Sequence, residues 1–206
     1  MMLDRPHHQS LAATGKPVLT LVTGKNGSEQ TAIPAYTMAA RVLHWITALF
    51  ILLMIPLGVM IANGWGGSQK DLLYDLHRSL GAVLILILVL RLFYRLANPP
   101  LPLPNDIPAM QQRAANMTHW SLYALLIAEP FLGWAATSAY PAAVTVFGWF
   151  KLPSIWPVNS ALSELLFSVH RWIAFAIAFL VVAHIAAALY HHFVRKDRML
   201  MRMVTG

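Results

Sequence analysis

The chain has 206 residues and no cysteine. That absence rules out disulfides, iron–sulfur clusters, thiolate ligation of a haem and covalent attachment of one. Charge is scarce too: 11% of residues are Asp, Glu, Lys or Arg, where a soluble domain carries about 25%. Acidic residues are scarcest, 8 against 15 Lys and Arg, for a net charge of +7 and a pI near 10.1. So basic a chain suggests nucleic acid as a partner. Here the basic residues sit beside apolar segments, however, so no nucleic-acid binding is expected. Residues 1–36 lack the continuous apolar stretch of a secretory signal, and no cleavage is expected. Their composition, rich in Gly, Ser, Thr and Lys, predicts a polar, disordered tail.

What the chain has in abundance is apolar, 58% of residues. About 20 consecutive apolar residues cross a bilayer, and four such runs occur, at about 42–62, 76–96, 117–137 and 166–190. The expected fold is an all-α membrane protein, a bundle of four transmembrane helices over 37–206, with the lipid bilayer as its solvent. Three loops join the runs. Loop 63–75 carries Gly64, Gly66 and Gly67. Loop 97–116 holds Pro99, Pro100, Pro102, Pro104 and Pro108, which forbid regular helix. Loop 138–165 contains Trp149 and Trp156 and is expected against the membrane interface, as a short surface helix. Eleven of the 15 Lys and Arg fall on the side of the N-terminus and four, Lys70, Arg78, Lys151 and Arg171, on the other. That bias puts both termini in the cytoplasm.

Four histidines lie near the ends of these runs. His170 and His184 share the fourth run, and their spacing corresponds to about 21 Å and nearly four whole turns of helix. Their side chains point the same way from different depths. His44 opens the first run on the cytoplasmic side, and His77 opens the second on the outer side. Equal depths pair His44 with His184 and His77 with His170. Two imidazoles complete a six-coordinate haem iron, a state that favours electron transfer over oxygen activation. Two bis-histidine haems, one near each surface, are therefore expected. Zinc, the competing metal, needs three or four converging ligands, and the wide spacing on the fourth run separates these side chains.

Other residues share this geometry. Gly81 lies one turn after His77, and Gly58 follows His44 at the same offset that separates His170 from His184. Each either admits a flat cofactor or simply allows close helix packing. Arg91 follows His77 at that offset as well, beside the inner haem, where it pairs with a propionate or anchors the helix end. Arg78 and Arg171 adjoin the outer ligands. His119 and His191 fall near the cytoplasmic surface. They suit a quinone carbonyl or a proton relay, and equally a plain interfacial role; His192 is read as solvated. Glu129 stands in mid-span before Pro130, where a carboxylate is costly unless protonated or paired. It either donates to the carbonyl freed by Pro130 or to another free carbonyl, or carries protons.

The segments Ala40-Arg41-Val42-Leu43-His44-Trp45 and Leu76-His77-Arg78-Ser79-Leu80-Gly81, and His170 followed by the run His184 to His192, resemble the bacterial cytochrome b561 family over about 37–203. The resemblance implies a four-helix bundle of the bacterial inner membrane with two b-type haems on His44, His77, His170 and His184. It also implies electron movement between the periplasmic side and membrane quinone. One activity in that family oxidises superoxide and reduces ubiquinone, and His119 and His191 match positions linked to its quinone site. Glu129 departs from the family pattern, which has an apolar residue there. Two functions are expected: a superoxide:ubiquinone oxidoreductase, or an electron-transfer subunit serving a partner oxidoreductase. A transporter without haem is the third reading, against which the lack of an inverted repeat counts.

Overall fold

The structure is a computed structural model that describes residues 22–23, 29–30, 35–99 and 107–205. The chain divides into two units, 1–34 and 35–206. In the first, β1 (Val22–Thr23) pairs antiparallel with β2 (Glu29–Gln30), Val22 opposite Gln30. The expected disorder of the tail otherwise falls outside the described residues.

The second unit is built from four long helices, α1 (Met38–Ala62), α2 (Lys70–Ala97), α3 (Ala109–Ala139) and α4 (Ser160–Tyr190). All four are long and apolar enough to cross a membrane. Their ends are chemically marked. The Thr37 hydroxyl caps α1 by accepting from the Ala40 amide at 3.2 Å, and the Asn159 side-chain carbonyl caps α4 by accepting from Leu162 N–H at 3.0 Å, each satisfying an otherwise orphaned amide. Gly64 follows α1 with φ +67°, a conformation that costs glycine nothing. The Asn98-Pro99 step ends α2.

All four helices start earlier than the apolar runs: α1 at Met38, α2 at Lys70, α3 at Ala109 and α4 at Ser160. The runs mark only the lipid-covered part. Helical hydrogen bonding continues through the headgroup zone, and 31 residues reach about 46 Å, comparable to a whole bilayer with its headgroups.

The expected surface helix in 138–165 is a β-hairpin instead. Strand β3 (Thr145–Val146) pairs antiparallel with β4 (Phe150–Lys151). Phe147 and Gly148 both take left-handed backbone, φ 48° and 75°, and Trp149 N–H bonds to Val146 C=O at 2.9 Å. Two successive left-handed residues reverse the chain in the sense that matches strand twist. The hairpin is fastened to α2 by the buried Ser79 hydroxyl, which accepts from Phe147 N–H at 2.9 Å and donates to Thr145 C=O at 3.3 Å. Arg78 adds a bond to Ala143 C=O at 3.2 Å, and Trp134 Nε1 donates to Pro153 C=O at 3.0 Å. The hairpin therefore closes one end of the bundle.

The chain termini of this unit meet at the other end. Beyond α4 one turn of π-helix covers His191–Arg195, Lys196 turns left-handed, and α5 (Met201–Val204) follows. Main-chain carbonyls of this segment accept from the start of α1: Thr205 from Arg41 and Met203 from Trp45 Nε1, both at 3.1 Å. The buried Arg202 stacks on the Tyr36 ring at 5.8 Å.

The core lies halfway between these ends. Ile51, Leu84, Leu88 and Ile177 form it, with Phe50, Met54, Leu125, Leu126 and Ile173 packed around them. The outer faces are apolar but uncovered: Leu86 is 66% and Phe179 73% exposed. Such surfaces suit lipid, not water.

Candidate functional site

Helical geometry carries His44 on α1 to His184 on α4 at the termini end, and His77 on α2 to His170 on α4 at the hairpin end. The ring centroids are 6.2 Å apart in both pairs. A metal–nitrogen bond of about 2.0 Å, plus about 1.1 Å from nitrogen to ring centre, taken twice, gives about 6 Å for two imidazoles on opposite sides of one iron. Both pairs match that spacing. Among the described residues no group of three or more His, Cys, Asp or Glu is placed to hold a bare metal ion. The donor set thus suits a four-coordinate macrocycle that needs only two more ligands.

The hairpin-end pair is packed closely by glycine. A Cβ on Gly58 would stand 3.4 Å from His77 Cε1, and one on Gly133 would stand 3.2 Å from His170 Cε1. Of the two roles expected for Gly81, its surroundings fit close helix packing. Its nearest neighbour is Met54 Cε, 3.6 Å from where a Cβ would sit, so it serves the packing of α2 on α1. His170 Nδ1 lies 3.1 Å from Glu129 Oε1 and 3.2 Å from the Glu129 carbonyl oxygen. Glu129 thus meets His170 and not the carbonyl freed by Pro130. Among the described residues His77 Nδ1 and Glu129 Oε2 are buried without a hydrogen-bond partner.

The termini-end pair has a different setting. Arg91 Nη2 lies 2.9 Å from His44 Nδ1, and its Nε donates to Tyr123 Oη at 3.3 Å. The guanidinium also sits 5.6 Å from the Tyr123 ring centroid. Its Nη1 is buried with no partner among the described residues, an orphan donor that an anion would satisfy. His119 joins this end, with its ring 5.3 Å from that of His184. His191 turns away to Asp197: its Nδ1 hydrogen-bonds Oδ2, which also accepts from Arg195 Nε at 3.3 Å. No ring contact or hydrogen bond links His119 to His191 among the described residues. Burial pulls the Asp197 carboxyl upward, but bonds from His191, the Met199 amide and Arg195 outweigh it and hold it below the ordinary carboxylate range.

At the hairpin end Arg78 pairs with Asp75 at 3.3 Å. Sequence reasoning missed three residues of the two sites: Gly133, Tyr123, and Glu129 as a partner of His170. Gly133 carries a usable signal, since it follows His119 at the offset already seen from His44 to Gly58 and from His77 to Arg91.

Comparison with known proteins comes down on one family. The profile of prokaryotic cytochrome b561 matches residues 35–206. Cytochrome b561 homolog 2 of Escherichia coli K12 is 33% identical over 175 residues, covering 82% of this chain and 90% of that protein. Cytochrome b561 homolog 1 of the same strain is 34% identical, covering 79% and 92%. A Yersinia pestis protein named probable superoxide oxidase CybB is 28% identical, covering 79% and 91%.

Proposed function

The chain belongs to the prokaryotic cytochrome b561 family, and we propose that it is a dihaem carrier moving electrons between the periplasmic side and membrane quinone. It is a multi-pass protein of the bacterial inner membrane that binds haem b and serves membrane electron transfer. In the proposed arrangement His77 and His170 hold one haem, and His44 and His184 the other. The observation that carries this reading is the common 6.2 Å ring separation of two pairs at opposite ends of one bundle. The charge bias of the loops supports setting the hairpin end in the periplasm and the termini in the cytoplasm. Haem held by these pairs would supply reversible one-electron chemistry.

The protein's own residues supply the rest. Ile51, Leu84, Leu88 and Ile177 form a dry layer between the two pairs and keep water from short-circuiting the two sides. A His44 that ligates through Nε2 keeps its proton on Nδ1 and no longer accepts from Arg91. The guanidinium is then free to bind a carboxylate, such as a propionate, while Tyr123 steadies it. His119, beside His184, is positioned to hydrogen-bond a ubiquinone carbonyl or to pass it a proton. His191 retains only Nε2 for such a role, because Nδ1 is engaged by Asp197.

The net reaction we favour is oxidation of two superoxide anions to oxygen with reduction of one ubiquinone to quinol, two protons being taken up. The name of the Yersinia pestis relative supports it. A second reading, an electron-transfer subunit for a partner oxidoreductase, is favoured by the Arg78–Asp75 ion pair, which cancels part of the positive charge that would steer superoxide to the outer face. Stopped-flow mixing with superoxide separates the two. The enzyme reading predicts rapid growth of the reduced α-band in the wild type and none in His77→Ala/His170→Ala. Equal slow rates in both, together with a redox protein that copurifies from native membranes, support the subunit reading.

A further inference from the structure

Glu129 has no part in the function proposed above, and its place is unusual. It lies on α3 in the middle of an apolar span, where a carboxylate is expensive and is kept only with a partner. That partner is His170, whose Nδ1 is 3.1 Å from Oε1. Both side chains are largely buried, 15% exposed for Glu129 and 21% for His170. Oε2 has no partner among the described residues, so the contact with His170 is what compensates the carboxylate for its burial.

We infer that Glu129 is a positioning residue for His170: it accepts the Nδ1 proton, turns Nε2 towards the cofactor, and lowers the midpoint potential of the haem at the hairpin end. The inference rests on the proposed ligand role of His170. A carboxylate behind a ligating imidazole fixes its tautomer and makes it a stronger donor. Stronger donation stabilises the oxidised, more positive iron over the reduced one. The three other proposed ligands lack this support. His77 Nδ1 has no acceptor among the described residues. His44 Nδ1 faces a guanidinium. His184 has His119 as its neighbour. A carboxylate at one end and a guanidinium at the other bias the two centres in opposite directions. The hairpin end becomes the stronger reductant, and the drop in energy runs towards the termini end and His119.

In the structure His170 Nδ1 hydrogen-bonds the Glu129 main-chain carbonyl at 3.2 Å, with the carboxylate as an ion-pair neighbour at 3.1 Å, so the two compete for the same proton. Side-chain replacement leaves the carbonyl in place, which gives the test its discrimination. Glu129→Gln keeps shape and length and removes the charge; Glu129→Leu removes the acceptor as well. Each is purified with its haem in detergent. Haem per polypeptide, helix content and a potentiometric titration of the α-band are then measured beside wild type and His170→Ala. The expected result is two haems in Glu129→Gln with one midpoint raised and the other unmoved. The raised midpoint should belong to the haem missing from His170→Ala. The shift should be at least tenfold in the oxidised-to-reduced ratio at fixed potential, about 59 mV for one electron. Glu129→Leu should move the same midpoint at least as far, and if it does not accumulate, the isosteric variant decides. Unmoved midpoints in a fully loaded Glu129→Gln would overturn the inference alone, the carbonyl then sufficing. Retention of both haems by His170→Ala would overturn the ligand assignment and the inference with it.

Discussion

Gly133→Ala should weaken haem binding at the hairpin end without unfolding the bundle. The new Cβ would stand 3.2 Å from His170 Cε1 and 3.5 Å from its Nδ1, while carbon atoms pack best at about 3.5–4.0 Å. The ring must therefore yield by a few tenths of an ångström. It is not free to do so, because Glu129 holds Nδ1 on the α3 side. Forcing a methyl into such a space costs about 1–3 kcal/mol, or about 5- to 150-fold in a binding constant. Alanine also favours helix over glycine by about 0.5–1 kcal/mol, which offsets part of that cost in the haem-free protein, so the bundle should lose little thermal stability while haem affinity falls. Gly58→Ala is the internal control, its Cβ in ordinary contact at 3.4 Å from His77 Cε1. Haem titration into haem-free protein, read at the Soret band, measures both. Wild-type affinity in Gly133→Ala, or an equal loss in Gly58→Ala, would refute the packing argument.

Three further outcomes follow from single contacts. Ser79→Ala should lower the bundle's stability by about 1–3 kcal/mol, since a buried donor and acceptor both lose their partner, and should raise proteolysis within 144–152. Arg91→Gln should lower haem content at the termini end only, by about tenfold in affinity or more from loss of a charge-assisted bond, leaving the haem that depends on His170 in place. Asp197 carries the pH dependence: its folded value lies below the ordinary carboxylate range, so its contribution is complete above that range and disappears as pH falls through the lower folded value. Hydrogen-exchange protection in 191–205, relative to the intrinsic rate at each pH, should therefore be constant at neutral pH and fall only in strong acid, whereas Asp197→Asn should be poorly protected throughout; unchanged protection in that variant would show that Asp197 does not hold the segment.

Much of this molecule is written in one short rule, that a step of nearly four turns along a helix returns to the same face at another depth. Applied to His170 it gives His184; applied to His44 and His77 it gives Gly58 and Arg91, which the structure sets beside His77 and His44. The same rule applied to His119 gives Gly133, which sequence reasoning passes over because it weighs His119 for a quinone or interfacial role and follows the step only from the haem-ligand histidines. Glu129 was visible as an anomaly but its partner was not, since α3 and α4 meet by packing, and their relative rotation is set by side-chain interlocking that no single helix encodes. The helices outrun the apolar runs for a simpler reason: apolar runs report lipid contact, while helices continue into the headgroups. The hairpin over 145–151 was hidden by its aromatic residues, which fit an interfacial helix as well as a turn. Phe147 in left-handed backbone is a conformation that sequence preference argues against and that the anchored turn imposes.

The central claim is that two histidine pairs each hold one haem at opposite ends of the bundle. Haem per polypeptide, with a reduced-minus-oxidised spectrum, tests it most directly in the wild type, His44→Ala and His170→Ala. The account predicts two low-spin b-type haems in the wild type and one in each variant, with a different α-band remaining in the two. The same haem lost from both variants, or a wild type that binds fewer than two when haem is plentiful, would contradict it.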